Sequence, residues 1–196
     1  MTRGYHHGDL RNALLDAAEA IVAEEGIAAV TMSKVAKRSQ VSSGAPYRHF
    51  HDRMDLLRGL ARRAHAALAE RATAAAAAAP TPLEGFRRTG IEYVKFAVEQ
   101  PALFTVLSRG ELVDHDDAGT EQDRAFVDGL RELLSRDPSE PLDPEHPLVQ
   151  QLAARCLVHG LAHMFVEGAL AVVGAGPEQA ERIADALTRA LGPPQV

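Results

Sequence analysis

The chain has 196 residues, 46% of them hydrophobic and 24% charged, with a formal net charge of −6 and no tryptophan. That balance excludes a disordered or fibrous chain and leaves room for one compact unit or for a small domain plus a larger one. A single cysteine, Cys156, excludes an internal disulfide framework. The first nine residues lack the apolar core of a signal peptide, and no run of 18 apolar residues occurs, so the sequence reads as a cytoplasmic protein with no membrane span.

The charge divides unevenly along the chain. Residues 1–65 hold ten Lys/Arg against seven Asp/Glu and five of the nine histidines, a net of about +3. Residues 66–196 hold eleven against twenty, a net of about −9. A mildly basic head on an acidic body is the arrangement that one phosphate-facing end requires.

The composition, rich in Ala, Leu, Arg and Glu, favours helix, and the elements can be taken in order. Asp9 is the expected N-cap of a first helix whose stripe is Leu10, Ala13, Leu14, Ala17, Ala18, Ile21 and Val22, ended by Gly26. Thr31 caps a short second helix to about Arg38, and Ser39 to Ser42 break it. Ser43 caps an expected third helix from Gly44 to about Phe50, with Pro46 in its first turn. Asp52 caps a fourth that runs through Met54, Leu57, Leu60 and Leu68 into the alanine tract before Pro80. Helix five spans roughly Leu83 to Glu99, and Pro101 starts a short one with Leu103, Phe104 and Leu107. Asp114 to Thr120 reads as a loop, Glu121 to Arg136 as a helix, and Asp137 to Pro147 as irregular. A long apolar helix from Leu148 to about Val173 and an amphipathic one from Pro177 to Leu191 complete an all-α chain of about nine helices, with no strand.

Two short helices joined by a tight turn and braced by a third form a helix-turn-helix. Met32, Val35, Ala36, Val41, Tyr47 and Phe50 are the expected small core. The third helix presents the small residues Ser43, Gly44 and Ala45 at its tip, where the backbone can approach base edges. Arg3 and the His6/His7 pair precede the first helix and read equally as a DNA-reaching arm or a solvated tail.

Three stretches together resemble the head of a TetR-family repressor: Tyr5 to Arg11, Thr31 to Ala36, and Val41-Ser-Ser-Gly-Ala-Pro-Tyr-Arg-His-Phe-His-Asp-Arg-Met-Asp-Leu-Leu57. The resemblance implies a helix-turn-helix DNA-binding domain over residues 1–54 and a helical effector-binding and dimerisation domain over 55–196. It implies a homodimer that holds a palindromic operator and is released by a small-molecule effector. By position it assigns Thr31, Tyr47, His49 and Arg53 to the DNA backbone, and Ser33, Ser43, Gly44 and Ala45 to bases, with Tyr47 also within reach of a base. Pro101 to Phe104 and Leu157 to Gly168, with His159-Gly160, are similar to a C-terminal subfamily of the same family with a Trp-x-x-His-Gly-like signature, although Arg155, Cys156 and Leu157 stand where its tryptophan would be.

For the body, Tyr93, Phe96, Phe104, Leu107, His163 and Met164 are candidate lining of a largely apolar effector cavity, set against the plainer reading of bundle core. His159 and His163 have metal-ligand spacing on a helix but lack a third partner. The expectation is therefore no metal and no cofactor, with His159 a hydrogen-bonded core residue packed closely through Gly160. Cys156 is expected to be a buried small hydrophobe. Leu152, Leu157, Val158, Leu161, Val172, Ile183, Leu187 and Leu191 are the expected dimer contacts of the last two helices. The competing classes are a helical adaptor that keeps the fold without specific DNA binding, and a small helical enzyme. The second is disfavoured because no G-x-S-x-G, H-E-x-x-H or Cys-His pattern occurs.

Overall fold

A computed structural model describes residues 7–112, 121–135 and 139–190. Arg3, His6, Leu191 and the expected loop from Asp114 to Thr120 lie outside the described residues. Among the described residues there are eight α-helices and no strand: α1 (His7–Glu25), α2 (Met32–Arg38), α3 (Arg53–Ala77), α4 (Pro82–Glu99), α5 (Pro101–Leu107), α6 (Glu121–Leu134), α7 (Pro147–Val166) and α8 (Ala180–Ala190). The chain divides into two compact units, residues 1–65 with 101–118, and residues 66–100 with 119–196.

Most helix boundaries arise from local chemistry. The Thr31 hydroxyl accepts the Lys34 N–H at 3.2 Å, and the Thr81 hydroxyl accepts that of Glu84 at 3.2 Å. Asp52 accepts the Asp55 N–H at 2.8 Å while Asp55 accepts the His51 N–H at 2.9 Å, a reciprocal arrangement that starts α3. Gly26, at φ 82°, ends α1 where a side chain would be strained. The final helix, expected from Pro177, is α-helical only from Ala180, behind a 3-10 turn, Pro177–Gln179, and two further boundaries differ from expectation. The first helix begins at His7, so Asp9 sits within its first turn and is not the N-cap; acids are favoured at both places, and the residue type does not choose between them. The helix expected from Leu148 to Val173 ends at Val166, because Gly168 takes φ 75° and the chain continues as a 3-10 turn, Ala169–Val173, up to Gly174 at φ 73°.

The first unit is built on the buried face of α1 (Leu14, Leu15, Ala18, Ile21, Val22), which meets Val30, Val35 and Ala36, the first part of α3, and α5. The end of α2 is a complete Schellman turn. The Val41 N–H reaches the Ala36 carbonyl at 3.0 Å, the Gln40 N–H reaches that of Lys37 at 3.2 Å, and Gln40 itself adopts φ 56°. The segment from Gly44 to Phe50 is not the expected α-helix but a run of turns around a 3-10 segment, Pro46–Arg48. Pro46 has no N–H to give, and the Arg48 and His49 amides bond three residues back (3.2 and 3.0 Å), so only the Phe50 amide makes an α-type bond, at 2.9 Å to Pro46.

Phe50 ends that run with its ring buried to 2% exposure. The ring lies so close to α3 that a Cβ on Gly59 would stand 2.9 Å from Cε1, and the Arg11 guanidinium covers its face at 5.1 Å from the centroid.

In the second unit α4 packs against both α7 and α8. Gly90 permits the approach to α7, since a Cβ there would meet Val158 Cγ1 at 3.1 Å. Arg71 joins Glu92 (2.9 Å) and Glu99 (2.7 Å) across to α4, and Lys95 joins Glu92 (2.8 Å) and Glu181 (3.5 Å). On α7, Arg155 pairs with Asp123 at 2.7 Å and stacks 4.3 Å over the Phe126 ring of α6. Cys156 is exposed and not buried as expected. It falls on the outward stripe of α7 with Ala153, Gly160, Met164 and Glu167, and a Cβ on Gly160 would meet nothing within 4 Å.

The Tyr93 hydroxyl and His159 Nδ1 are 2.7 Å apart, a tie between α4 and α7. Burial pushes the phenol up to about 12, so the Tyr93 hydroxyl keeps its proton in this bond. Partial desolvation of the His159 ring, and then the neighbouring His163, lower the His159 pKa from its ordinary value.

This packing makes two outcomes measurable. Gly59→Ala forces the buried Phe50 ring to move and lowers stability by about 1–3 kcal/mol, measured by urea denaturation. For His159, the unfolded chain takes up a proton at a higher pH than the native one. Its neutral form therefore supports the fold above about pH 6.5, and that support is lost as pH falls from there toward the lowered native value. The urea midpoint of the wild type should drop over that window, and His159→Gln should flatten the drop; Glu167, 3.5 Å from His163, and Arg155 are the charged neighbours to hold constant.

Candidate nucleic-acid interface

The residues singled out in the head gather on one exposed edge of the first unit, where α2 packs against the 46–48 turn. Thr31 and Ser33 are exposed at the start of α2, and Ser43 and Gly44 are exposed at the turn, with Ala45 half-buried. The Thr31 hydroxyl caps α2 by accepting, which leaves its own proton free to donate outward. Tyr47 is 59% exposed, so it does not join the small core expected of it. The core position is taken by Phe50, which lies just beyond the 3-10 segment and is 2% exposed. His49 is half-buried beside it.

Arg53 is placed differently from the rest. Its Nε donates to the Val30 carbonyl at 2.7 Å and its Nη2 to the Ile27 carbonyl at 2.8 Å, so the fork of the guanidinium faces the protein backbone.

Two cations that sequence reasoning missed also stand on this edge. Lys37 and Arg48 are exposed and, among the described residues, form no ion pair. Their neighbours are engaged: Lys34 with Glu25, and Arg38 with Glu24 through a fork of 2.5 and 2.6 Å that lowers the carboxyl pKa. The signal available in the sequence was the position of Lys37 and Arg48 three residues from Lys34 and Ala45, facing outward from the buried Val35, Ala36 and Pro46.

The candidate effector residues are not brought together in the same way. Phe104 and Leu107 are buried in the core of the first unit, where α5 lies against α1. Within the second unit, Phe96 is fully buried under Arg71, 5.9 Å from its ring, while Tyr93 turns to His159. His163 is half-buried with its ring 4.6 Å from that of His159, and Met164 is exposed. His163 and Met164 are adjacent on α7 and point about 100° apart, whereas Tyr93 and Phe96, three apart on α4, share a side and differ in depth, Phe96 buried and Tyr93 half-buried. A surface cleft of about 390 Å³ lies elsewhere, lined by Lys95, Val98 and Glu99 with Pro177, Glu178 and Glu181, and none of the expected six borders it. Among the described residues no three His, Cys, Asp or Glu side chains are grouped to hold a metal ion, and no helix is long and apolar enough to cross a membrane.

Comparison with known proteins places this geometry. Residues 14–60 match the family model described as bacterial regulatory proteins, tetR family, and residues 86–191 match a tetracyclin repressor-like C-terminal domain. The chain is 33% identical over 125 residues to the HTH-type transcriptional regulator BetI of Rhizobium meliloti (strain 1021). That alignment covers 64% of this chain and 61% of the relative, less than two thirds of its length. Among solved structures it is similar to a protein of unknown function from Rhodococcus sp. RHA1, at 25% identity, TM-score 0.68, covering 99% of this chain and 100% of the other. A TetR family transcription regulator from Marinobacter aquaeolei VT8 shares the fold at 19% identity and TM-score 0.61, covering 94% and 96%. With both a head model and a body model matched in the expected order, the chain belongs to the TetR family of bacterial transcriptional regulators.

Proposed function

We propose that the protein is a cytoplasmic repressor that binds a palindromic operator as a homodimer and is released when a small molecule binds its second unit. The observation that carries this reading is the exposed edge at residues 31–49. There small residues, an outward tyrosine and two cations that form no ion pair among the described residues are exposed, while the ring of Phe50 anchors the segment from within. Lys37, Arg48, Thr31, Tyr47 and His49 supply phosphate contacts, and Ser33, Ser43, Gly44 and Ala45 lie closest to base edges.

The dimer is assigned to α7, the turn after it and α8. Leu161 is buried within the protomer and Val158 packs on Gly90, so these two of the expected contacts serve the protomer's own core. The stripe Cys156, Gly160 and Met164, with Val172 at 89% exposure, is the apolar surface left for a second copy. Two heads on a palindrome must stand about one DNA turn apart, roughly 34–36 Å or a multiple, and an effector that favours another spacing lowers operator affinity by the coupling between the two sites. No catalytic step is assigned.

Two experiments test this. Site selection from random duplex should recover a palindrome whose binding weakens steeply with salt. Tyr47→Ala and His49→Ala should each cost about tenfold or more in affinity, and Lys37→Ala and Arg48→Ala should each reduce the salt slope by about 0.9. Failure to prefer any sequence over random DNA would refute the reading. Sedimentation should give twice the 21.0 kDa chain mass, and Met164→Glu, exposed in the protomer, should yield folded monomers with weakened operator binding.

A further inference from the structure

Arg53 opens α3, directly after the capping Asp52, where the helix dipole disfavours a cation. The two nearest carboxylates are already turned to backbone amides, Asp52 to Asp55 and Asp55 to His51. The guanidinium instead reaches back 23 and 26 residues to the Val30 and Ile27 carbonyls, at 2.7 and 2.8 Å. Those carbonyls belong to the 3-10 turn that comes after Gly26 and leads into Thr31, the cap of α2. A flat fork of fixed donors suits two carbonyls at once, which a single ammonium does not. The stretch between the two anchor points contains every head residue assigned to DNA except Arg53 itself.

We propose that Arg53 is a positioning residue: it closes the reading segment by binding the chain that enters α2 to the start of α3, and does not itself contact DNA. Val30 is fully buried and Phe50 nearly so, which fixes the segment at one point near each end. The Arg53 fork adds a direct link between those ends. It thereby holds Thr31 and Ser33 in register with Tyr47 and His49. The inference rests on the proposed DNA-binding role of the head.

The test uses the full-length wild type, Arg53→Met and Arg53→Lys, each shown to be folded at the working temperature. Binding is measured over a range of salt to the duplex that the wild type selects. Both variants should bind about tenfold more weakly, with the slope of log affinity against log salt unchanged. Amide exchange in the free protein should show faster exchange over residues 27–34 in both variants, with the rest of the first unit unaltered. A slope reduced by about 0.9 in Arg53→Met and restored in Arg53→Lys would make Arg53 a phosphate contact and overturn the proposal. Unchanged affinity in folded Arg53→Met, or unchanged exchange over 27–34, would overturn it as well. Should the wild type select no site, the DNA-binding reading fails by itself, and the positioning role for DNA recognition fails with it; amide exchange would then still show whether Arg53 holds residues 27–30.

Discussion

The ring of Phe50 against the bare backbone of Gly59 is the contact on which the head depends. It closes the first unit's core where the chain leaves the 46–48 turn and before it enters α3. A Cβ at residue 59 would occupy ring space, and Leu15 of α1 stands only 3.4 Å from the same point, so three segments meet at one glycine. Burying a phenyl group stabilises by about 1.5–3 kcal/mol. That is enough to hold a short turn that has one α-type hydrogen bond of its own. With the Phe50 ring and Pro46 held inside, Tyr47 and Arg48 of the 46–48 turn are left facing outward. The exposure of Tyr47 and Arg48 is thus a consequence of core packing more than of local propensity.

The signals that were legible in the sequence were local ones. Thr31, Asp52 and Thr81 cap because their oxygens reach an amide three residues on, and Gly26 stops α1 through its own backbone freedom. The family motif, too, lies within residues 5–57. What could not be read depended on distant partners. Arg53 finds its acceptors 23 and 26 residues away, and Phe104 and Leu107 of α5 fill the core under α1 although they come directly after α4 in the chain. Cys156 is apolar enough to be buried, but the register of α7 was set by Val158 and Leu161 and turned the cysteine outward.

The second unit shows the same division. Its α4 was legible from amphipathic spacing, but the partners of its ties to α7 and α8 were not: Tyr93, read as cavity lining, bonds His159, read as a hydrogen-bonded core residue, and Lys95 pairs with Glu181. Aromatic residues on one helix suggested a common cavity. The structure instead assigns Phe96 to the core under Arg71 and Tyr93 to a polar bond with His159.

The ion pairs of the head carry one last consequence. Lys34, Arg38 and Arg63 are already held by Glu25, Glu24 and Asp16, so much of the head's positive charge is answered within the molecule. If the head binds DNA as proposed, a polyanion would meet chiefly the cations outside these pairs, Lys37 and Arg48 among them, and the steepness of the salt dependence would count those contacts.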